Sequence, residues 1–424
     1  MDLVVEGRAF VKEKLVQCCI GIENGRIRAI KKQLRGDEHI DFGDMLILPA
    51  AIDPHVHFRD PGLTKKEDFQ TGTVSAAFGG VSCVLDMPNT IPPTLTSRSL
   101  EEKAATVSKK AWVDYGLLGG TSPKTDPAAI SKGVAGYKLF MSSTTGNLLV
   151  ADDDDVSEIV SSVSGTGKVL CVHAEDEGMI GNAQEMDLIE HGRNRPASAE
   201  ASAIIKLSRI RGAGSIHICH VSSKQGLDAL ANLPFTKEVA PHHLLLDKRS
   251  KLRSFGKVNP PLRDKEDREA VFDAFGSGRI DVLASDHAPH TIEEKEQEFS
   301  DAPSGMPGVE TGLPLLLALV KKNQLRLDIV VKAACERPAE IFGLNKGKIE
   351  VGRDADLIAV DSKNVMRIAA RNLHSKCGWT AFEGWEAMFP HATFLRGVKI
   401  VEEGGLVGER IGRDVIARKR ETPS

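Results

Sequence analysis

Histidines gather just after short apolar segments between residues 47 and 290 of this sequence. The eight members of the group are His55, His57, His173, His220, His242, His243, His287 and His290. A single histidine in such a position is more often a hydrogen-bonded polar residue than a functional one, but neutral imidazoles are also common metal ligands. The clustering of so many histidines predicts a metal site.

The pair His55 and His57 lies in the segment DPHVHFRDPG, residues 53–62. Residues two apart on a strand point to the same face, so we expect both imidazoles to face one interior. If the two histidines were only hydrogen-bonded to neighbours, an apolar interior would leave unsatisfied nitrogens, whereas zinc suits neutral imidazoles. His173, His220 and Asp286 add two imidazoles and a carboxylate, which together supply ligands for more than one cation.

Lys138 lies in the middle of the apolar segment GYKLFM. A buried ammonium is unfavourable unless it is paired or loses its proton, and two interpretations follow. In one, the lysine stem packs in the interior and the amine pairs with Asp or Glu. In the other, the neutral amine reacts with carbon dioxide to form a carbamate, whose two oxygens can bridge two metals.

Eight short apolar runs carry these residues, and amphipathic stretches separate the runs. The runs are LILPAAID, VSCVLDM, WVDYGLL, VAGYKLF, KVLCVHA, SIHICHV, TKEVAPHH and IDVLASDHAPH. Buried strands that alternate with helices are typical of the closed (β/α)8 or TIM barrel, whose catalytic residues follow the carboxyl ends of the strands. The sequence therefore predicts an α/β fold with a barrel over residues 50–344.

The barrel helices are expected near residues 66–78, 99–110, 153–163, 198–210, 223–231 and 264–275. A longer helical region, residues 311–343, is expected to close the barrel and to be kinked or divided at Pro314 and Pro338. The acidic run from Asp152 to Asp155 is expected to favour a helix N-terminus through the helix dipole.

Two flanks, residues 1–49 and 345–424, contain short β-branched runs and turn signals such as Glu23-Asn24-Gly25. Neither flank could bury a good core alone. We expect the two flanks to pair into one small β-sandwich domain.

The composition is that of an ordinary globular protein, with 424 residues, 41% hydrophobic residues and a net charge of −4. This balance argues against nucleic-acid or anionic-membrane partners. The charged residues near the start argue against a signal peptide, so a cytoplasmic location is expected. Seven cysteines without a CxxC pair predict neither a disulfide framework nor a zinc ribbon.

Several motifs together resemble those of the dihydroorotase family, within the cyclic amidohydrolases of the amidohydrolase superfamily. These motifs are HVHFRDPG, DMPNT, GYKLFM, VHAED, HVSS, KVNPPLRD, ASDHAPHT and GMPGVETGLPLLL. The resemblance covers residues 45–345, and the two flanks correspond to the composite β-sandwich of that family. It implies reversible interconversion of N-carbamoyl-L-aspartate and L-dihydroorotate in pyrimidine synthesis, with a small-molecule substrate.

The resemblance also implies a centre of two Zn²⁺ ions per subunit bridged by hydroxide. His55 and His57 would bind the more buried zinc with Asp286, and His173 and His220 would bind the other. Carboxylated Lys138 would bridge both ions, as in the animal-type domain, allantoinases and hydantoinases, whereas many bacterial relatives use an Asp. Asp286 would also act as the catalytic acid and base.

The substrate would contact a second group of residues. By resemblance, Arg59, Asn89 and His290 hold its carboxylate, and the planar donor fork of Arg suits that task. Asn259 would bond the ring amide, and Thr144 corresponds to a loop residue that touches substrate. The alternatives are a salt bridge from Arg59 to a neighbouring Asp60 or Asp68, and a simple turn at Asn259.

His242 and His243 are expected at the rim or beside the ligands rather than among them.

Other functions remain possible on the sequence alone. Allantoinases usually carry Asn at the position of Arg59, and hydantoinases place Tyr at the position of Ser143, which disfavours both. A catalytically silent scaffold would usually have lost metal ligands, yet all six positions are filled here. A homodimer is the default expectation for a soluble enzyme, and association with a transcarbamylase cannot be read from the chain.

Overall fold

The computed structural model describes residues 1–144, 146 and 148–416 of the chain. The N-terminal part forms four strands, β1 (Leu3–Val11), β2 (Lys14–Glu23), β3 (Arg26–Lys31) and β4 (Glu38–Pro49). Strands β1, β2 and β3 form an antiparallel meander, and β4 pairs in parallel with β1.

Eight parallel strands follow in sequence and in space. They are β5 (Ala51–Val56), β6 (Val81–Asp86), β7 (Asp114–Gly120), β8 (Gly136–Phe140), β9 (Leu170–His173), β10 (Ile216–Ile218), β11 (Thr236–Val239) and β12 (Val282–Leu283). A parallel bridge between Val56 and His287 joins the last strand to the first, which closes the ring. The predicted barrel is therefore confirmed, with each strand inside or beside its predicted apolar run.

The run LILPAAID was predicted as one barrel strand, and this prediction is wrong. Its first half ends β4 and pairs antiparallel with a C-terminal strand, Leu357–Val360, whereas its second half begins β5. Ala50 separates the two. The boundary between the first flank and the barrel was predicted at residues 49 and 50, but the apolar run itself does not show that it forms two strands, because both halves are buried, one in each sheet.

The barrel helices are α1 (Phe69–Phe78), α2 (Ser97–Val107), α3 (Pro127–Ile130), α4 (Asp153–Ser164), α5 (Leu188–Asn194), α6 (Ala197–Ser208), α7 (Lys224–Leu230), α8 (Pro241–Leu245), α9 (Lys265–Gly276) and α10 (Ile292–Lys295). As predicted, the acidic run begins a helix. The Asp152 carboxylate accepts from the backbone N–H groups of Asp154 and Asp155, which caps α4.

The region 311–343 forms α11 (Gly312–Lys321), α12 (Leu327–Val331) and α13 (Arg337–Phe342), with a π-helical turn at Lys332–Glu336 between the last two. Pro314 does not kink the region as predicted, because it lies in the first turn of α11, where its missing N–H has no helical acceptor. The division falls at residues 322–326 instead. Pro338 is the second residue of α13, separated from the π-helical turn by Arg337 alone, and its missing N–H is accommodated there.

The C-terminal part adds β13 (Leu357–Val360), β14 (Met366–Arg367), β15 (Glu386–Ala387), β16 (Ala392–Leu395), β17 (Val398–Glu402) and β18 (Gly405–Leu406). Both chain ends contribute to one eight-stranded sheet with the order β18-β17-β16-β13-β4-β1-β2-β3. This sheet has its own apolar core, which includes Val5, Ile20, Leu357 and Phe394. The predicted second β unit is confirmed. Among the helices described, none is both long and apolar enough to cross a membrane.

Candidate metal centre and active site

The carboxyl ends of the barrel strands surround one small cavity. Its lining is His55, His57, Arg59, Asn89, Lys138, Phe140, Thr144, His173, His220, Asn259, Asp286, Ala288, Ser304 and Gly305. Ten of the eleven residues predicted from the sequence to form the site are among them. The remaining one, His290, lies directly behind Arg59.

His55, His57 and Asp286 converge on one point. The Nε2 atoms of His55 and His57 lie 3.3 and 3.4 Å from Asp286 Oδ1. Nitrogen and oxygen ligands of a tetrahedral zinc, each about 2 Å from the ion, are about 3.3 Å apart, so the spacing matches such an ion. Burial lowers the pKa of His57 to about 3, which keeps this imidazole neutral, as a ligand must be.

Asp286 is ionised in this setting. Burial alone would raise its pKa, but the opposing interactions, the largest of which is the Coulombic interaction with His55, hold the pKa well below its ordinary value. Asp286 and His220 also have backbone φ angles of 45° and 35°, in the left-handed region that side chains other than glycine rarely adopt. Such strained conformations concentrate at functional sites.

His173 and His220 form a second pair beside the first. Their ring centres are 4.6 Å apart, and His220 is 5.3 Å from His55. The Nδ1 atom of His220 is buried without a hydrogen-bond partner in the described structure. An orphaned nitrogen in an interior is costly, and a metal ion would satisfy it. Burial lowers the pKa of both histidines, so both are neutral donors.

Lys138 is fully buried and lines the same cavity. Its Nζ lies 3.0 Å from Cys219 Sγ, and burial raises the pKa of that thiol well above its ordinary value, so the neighbour is neutral. Among the described residues, no carboxylate oxygen lies within 4.0 Å of the Lys138 amine. The structure therefore lacks the ion pair that was the alternative to carboxylation.

Two buried carboxylates, which were not predicted from the sequence, hold the histidines in place. Glu238 Oε1 lies 2.5 Å from His55 Nδ1, and Glu175 Oε2 lies 2.7 Å from His173 Nε2. Arg195 in turn donates to Glu175. Carboxylates behind ligating histidines fix the orientation of the imidazole ring and raise the basicity of its ligating nitrogen. The available signal was Glu238 itself, an acidic residue inside a predicted buried strand.

Replacing Glu238 with Gln should weaken metal binding about 10- to 100-fold, because the amide is a poorer acceptor for His55 Nδ1–H. Metal affinity measured by competition with a chelator checks this. Glu67→Gln is the matched control, since Glu67 is equally buried but pairs with His287, which is not among the proposed ligands. Equal affinities in all three proteins would contradict a ligand-orienting role for Glu238.

Arg59 has the features expected of an anion-binding residue. It is 2% exposed, and its Nη1 is buried without a hydrogen-bond partner among the described residues. The suggested salt bridges to Asp60 and Asp68 do not form, because Asp60 pairs with Lys110 and Asp68 with Lys376. A buried guanidinium without a carboxylate is costly, so a substrate carboxylate would complete the site.

His290 is more constrained than the sequence suggested. Lys66 Nζ lies 3.1 Å from its Nδ1, and Arg59 Nη2 and Ser304 O lie 3.3 and 3.0 Å from its Nε2. Lysine and arginine only donate and a carbonyl only accepts, so Nε2 faces a donor and an acceptor at once. Burial lowers the pKa of His290 to about 3, so the ring is neutral. A substrate carboxylate held by Arg59 would therefore lie beside a ring whose two nitrogens already have partners.

Asn89, Asn259 and Thr144 all line the cavity, but the two amides already have partners. Asn89 Oδ1 accepts from His57 Nδ1 at 2.7 Å, so Asn89 also orients a proposed ligand. Asn259 Oδ1 lies 3.0 Å from His191 Nε2. The amide oxygen therefore contacts a distant side chain rather than the backbone of its own turn. Thr144 is half-buried at the cavity edge.

His242 and His243 do not line the cavity. Both are buried behind it, and His243 Nε2 lies 3.0 Å from Pro260 O. Burial lowers the pKa of His242 to about 4. They were expected at the rim or beside the ligands rather than among them. In the structure both are buried and neither lines the cavity.

A barrel with histidines and an aspartate at its strand ends defines a class of metal-dependent hydrolases, and comparison with known proteins agrees. The sequence pattern of the amidohydrolase family matches residues 46–399. The chain belongs to this family.

Individual relatives show which members of the family the chain is similar to. The chain is 40% identical to the dihydroorotase of Methanosarcina acetivorans, over 94% of this chain and 91% of that protein. It is also 40% identical to the dihydroorotase of Halobacterium salinarum, over 93% of this chain and 96% of that protein. Among solved structures, the L-hydantoinase (dihydropyrimidinase) of Arthrobacter aurescens superposes with a TM-score of 0.93 at 29% identity, covering 98% of this chain and 99% of that one.

Proposed function

We propose that this chain is a dihydroorotase, a hydrolase that opens and closes the cyclic amide of L-dihydroorotate. The archaeal dihydroorotases support this substrate, at 36–40% identity over nearly the whole chain. The observation that carries the proposal is Arg59, a buried guanidinium with an unpartnered Nη1 beside the His and Asp cluster. L-Dihydroorotate carries a carboxylate next to its ring, which hydantoin and allantoin lack.

Most polar residues of the cavity have a task in this reaction. Arg59 binds the substrate carboxylate and Asn259 bonds the ring amide, which together place the scissile C–N bond over Asp286. Two divalent metal ions, held by the four histidines, Asp286 and Lys138, would polarise the amide carbonyl and lower the pKa of water. Asp286 accepts the proton of the attacking water and delivers it to the leaving ring nitrogen.

The overall reaction releases a proton in the hydrolytic direction. Hydrolysis converts dihydroorotate, with one carboxylate, into N-carbamoyl-L-aspartate, with two. Above the pKa of the new carboxyl group, about 4, the equilibrium ratio of open to closed form should rise about tenfold per pH unit. Mildly acidic conditions therefore favour ring closure, the direction that pyrimidine synthesis needs.

The test is turnover of L-dihydroorotate by zinc-replete protein at mildly alkaline pH, beside hydantoin and allantoin. We expect selective turnover of dihydroorotate. Turnover of hydantoin instead would favour the hydantoinase alternative, which the structural similarity to L-hydantoinase supports. Bound metal without turnover of any of these three compounds would reject dihydroorotate as the substrate, but not the assignment of the chain as a hydrolase.

Carboxylation of Lys138 is a finer part of the proposal. Full burial without a carboxylate partner supports it. Replacing Lys138 with Ala should remove the bridging oxygens and lower kcat by at least about 10²-fold, since both metals lose a ligand. Added short-chain carboxylates should restore part of the activity, whereas alkylamines should not. Rescue by amines rather than by carboxylates would show that the free amine is the active form.

Zinc as the metal, two ions per subunit, a cytoplasmic location and a homodimer remain predictions. The donor set of four imidazoles, a carboxylate and a carbamate suits zinc by ligand type. No described feature locates a subunit interface or a surface for a transcarbamylase.

A further inference from the structure

A second group of metal-binding side chains lies on the sheet formed by the chain ends, away from the barrel cavity. It consists of Glu6 on β1, Cys19 on β2 and His39 on β4, and we refer to it as the strand cluster. Glu6 is directly opposite Cys19 in the antiparallel pair β1–β2. The three residues are far apart in sequence, and the sheet brings their side chains to one face.

The separations of the donor atoms suit a single ion. His39 Nε2 lies 3.0 Å from Glu6 Oε2, Cys19 Sγ lies 3.5 Å from the same oxygen, and all three donors lie within 4.8 Å of one another. Donors of a tetrahedral zinc, at about 2.0–2.3 Å from the ion, are separated by about 3.3–3.8 Å. Small rotations of Glu6 and His39, which are both partly exposed, would open the shortest separation to this range.

The charge around the strand cluster favours a cation. Among the residues that the structure describes, no lysine or arginine nitrogen lies within 4.0 Å of the Glu6 carboxylate. Asp41 faces Glu6 across the parallel pair β1–β4 and lies two residues from His39, so it projects from the same face of β4. A second carboxylate therefore lies beside the cluster, and one of its oxygens can be the fourth ligand.

We propose that Glu6, Cys19 and His39 form a peripheral zinc site. Zinc readily takes mixed sulfur, nitrogen and oxygen donors in tetrahedral geometry, and a thiolate excludes the hard cations Mg²⁺ and Ca²⁺. Binding breaks the Cys19 S–H bond, forms a Zn–S bond and releases the proton to solvent. One thiolate and one carboxylate neutralise the ion. The site is independent of the proposed function, since none of its residues approaches the barrel cavity.

The experiment compares zinc content per chain after loading with Zn²⁺ and dialysis, in wild-type protein and four variants. Cys19→Ser and His39→Ala each remove one donor. Cys18→Ser is the control for the first, because the Cys18 side chain packs in the core on the other face of β2. His391→Ala is the control for the second, since His391 is a partly exposed histidine that lies near Glu403, just outside the strands of the same sheet.

We expect wild type and both controls to retain one zinc ion more per chain than Cys19→Ser and His39→Ala. The affinity of the strand cluster for zinc should be at least about tenfold lower in these two variants. Cobalt-loaded protein should show a thiolate charge-transfer band that Cys19→Ser loses and Cys18→Ser retains. Turnover of dihydroorotate should be the same in all five proteins. Equal zinc content throughout, or a band that persists in Cys19→Ser, would overturn the proposal. If Cys19→Ser fails to fold, the exposed His39→Ala decides the matter.

Discussion

Replacing Asp286 with Asn is expected to lower kcat for dihydroorotate hydrolysis by about 10²–10⁴-fold, the usual contribution of a general acid or base. Asn has nearly the shape of Asp and keeps an oxygen towards His55 and His57, but it cannot accept the proton of the attacking water. Because the substrate carboxylate is proposed to bind Arg59 and not Asp286, KM should change little. The loss should therefore appear in kcat.

Steady-state kinetics together with metal content measure this effect. Metal content is needed because Asp286 is also a proposed ligand, and a fall in kcat much larger than the fall in metal occupancy isolates the proton transfer. Asp281→Asn is the control, since Asp281 begins the same strand region at the opposite end and pairs with Arg337. A kcat within tenfold of wild type, at equal metal content, would show that another group moves the proton.

Replacing Arg59 with Met is the second large prediction. Hydrogen bonds to a charged group contribute about 1.5–3 kcal/mol each, so the loss of two should reduce kcat/KM for dihydroorotate by about 10²–10⁴-fold. The effect should appear mainly as a raised KM, because the carboxylate is bound equally in the ground state and the transition state. Met fills similar volume without a charge.

The selectivity of the loss is the critical measurement. Arg59→Lys should retain part of the affinity, since it keeps the charge but not the planar donor fork. Dihydrouracil, the analogue without a carboxylate, should respond far less to Arg59→Met than dihydroorotate does. An unchanged KM for dihydroorotate would remove Arg59 from the substrate site and, with it, the main physical reason for preferring dihydroorotase over hydantoinase.

The sequence by itself determined the barrel and the general composition of the site. Segments such as GYKLF and LCVH combine β-branched or aromatic residues with full burial, and the polar residues follow directly at their carboxyl ends. In a parallel barrel all these ends meet at one face, so His57, His173 and Asp286 had to come together once the strands were recognised. Local pattern is sufficient for this because the apolar composition of a buried parallel strand, and the polar residues at its carboxyl end, are both present in the strand's own segment.

Local pattern was not sufficient for the boundaries of neighbouring elements. The division of LILPAAID at Ala50 depends on β13, which pairs with its first half from more than 300 residues later in the chain. The helical region 311–343 is broken at residues 322–326 rather than at Pro314, because a proline in a first turn costs no hydrogen bond.

Only the tertiary structure decided how the site residues are held. Glu238 and His55 are 183 residues apart in sequence yet share a 2.5 Å contact, and Asn89 orients His57 as well as lining the cavity. The left-handed backbone of Arg59, His220 and Asp286 is likewise a result of packing, since each of these residues would avoid that conformation in isolation. Residue types and strand ends determine which groups reach the cavity. Contacts between distant segments determine their orientation, protonation and free hydrogen-bonding positions, because a buried polar group takes whichever partner the fold places beside it.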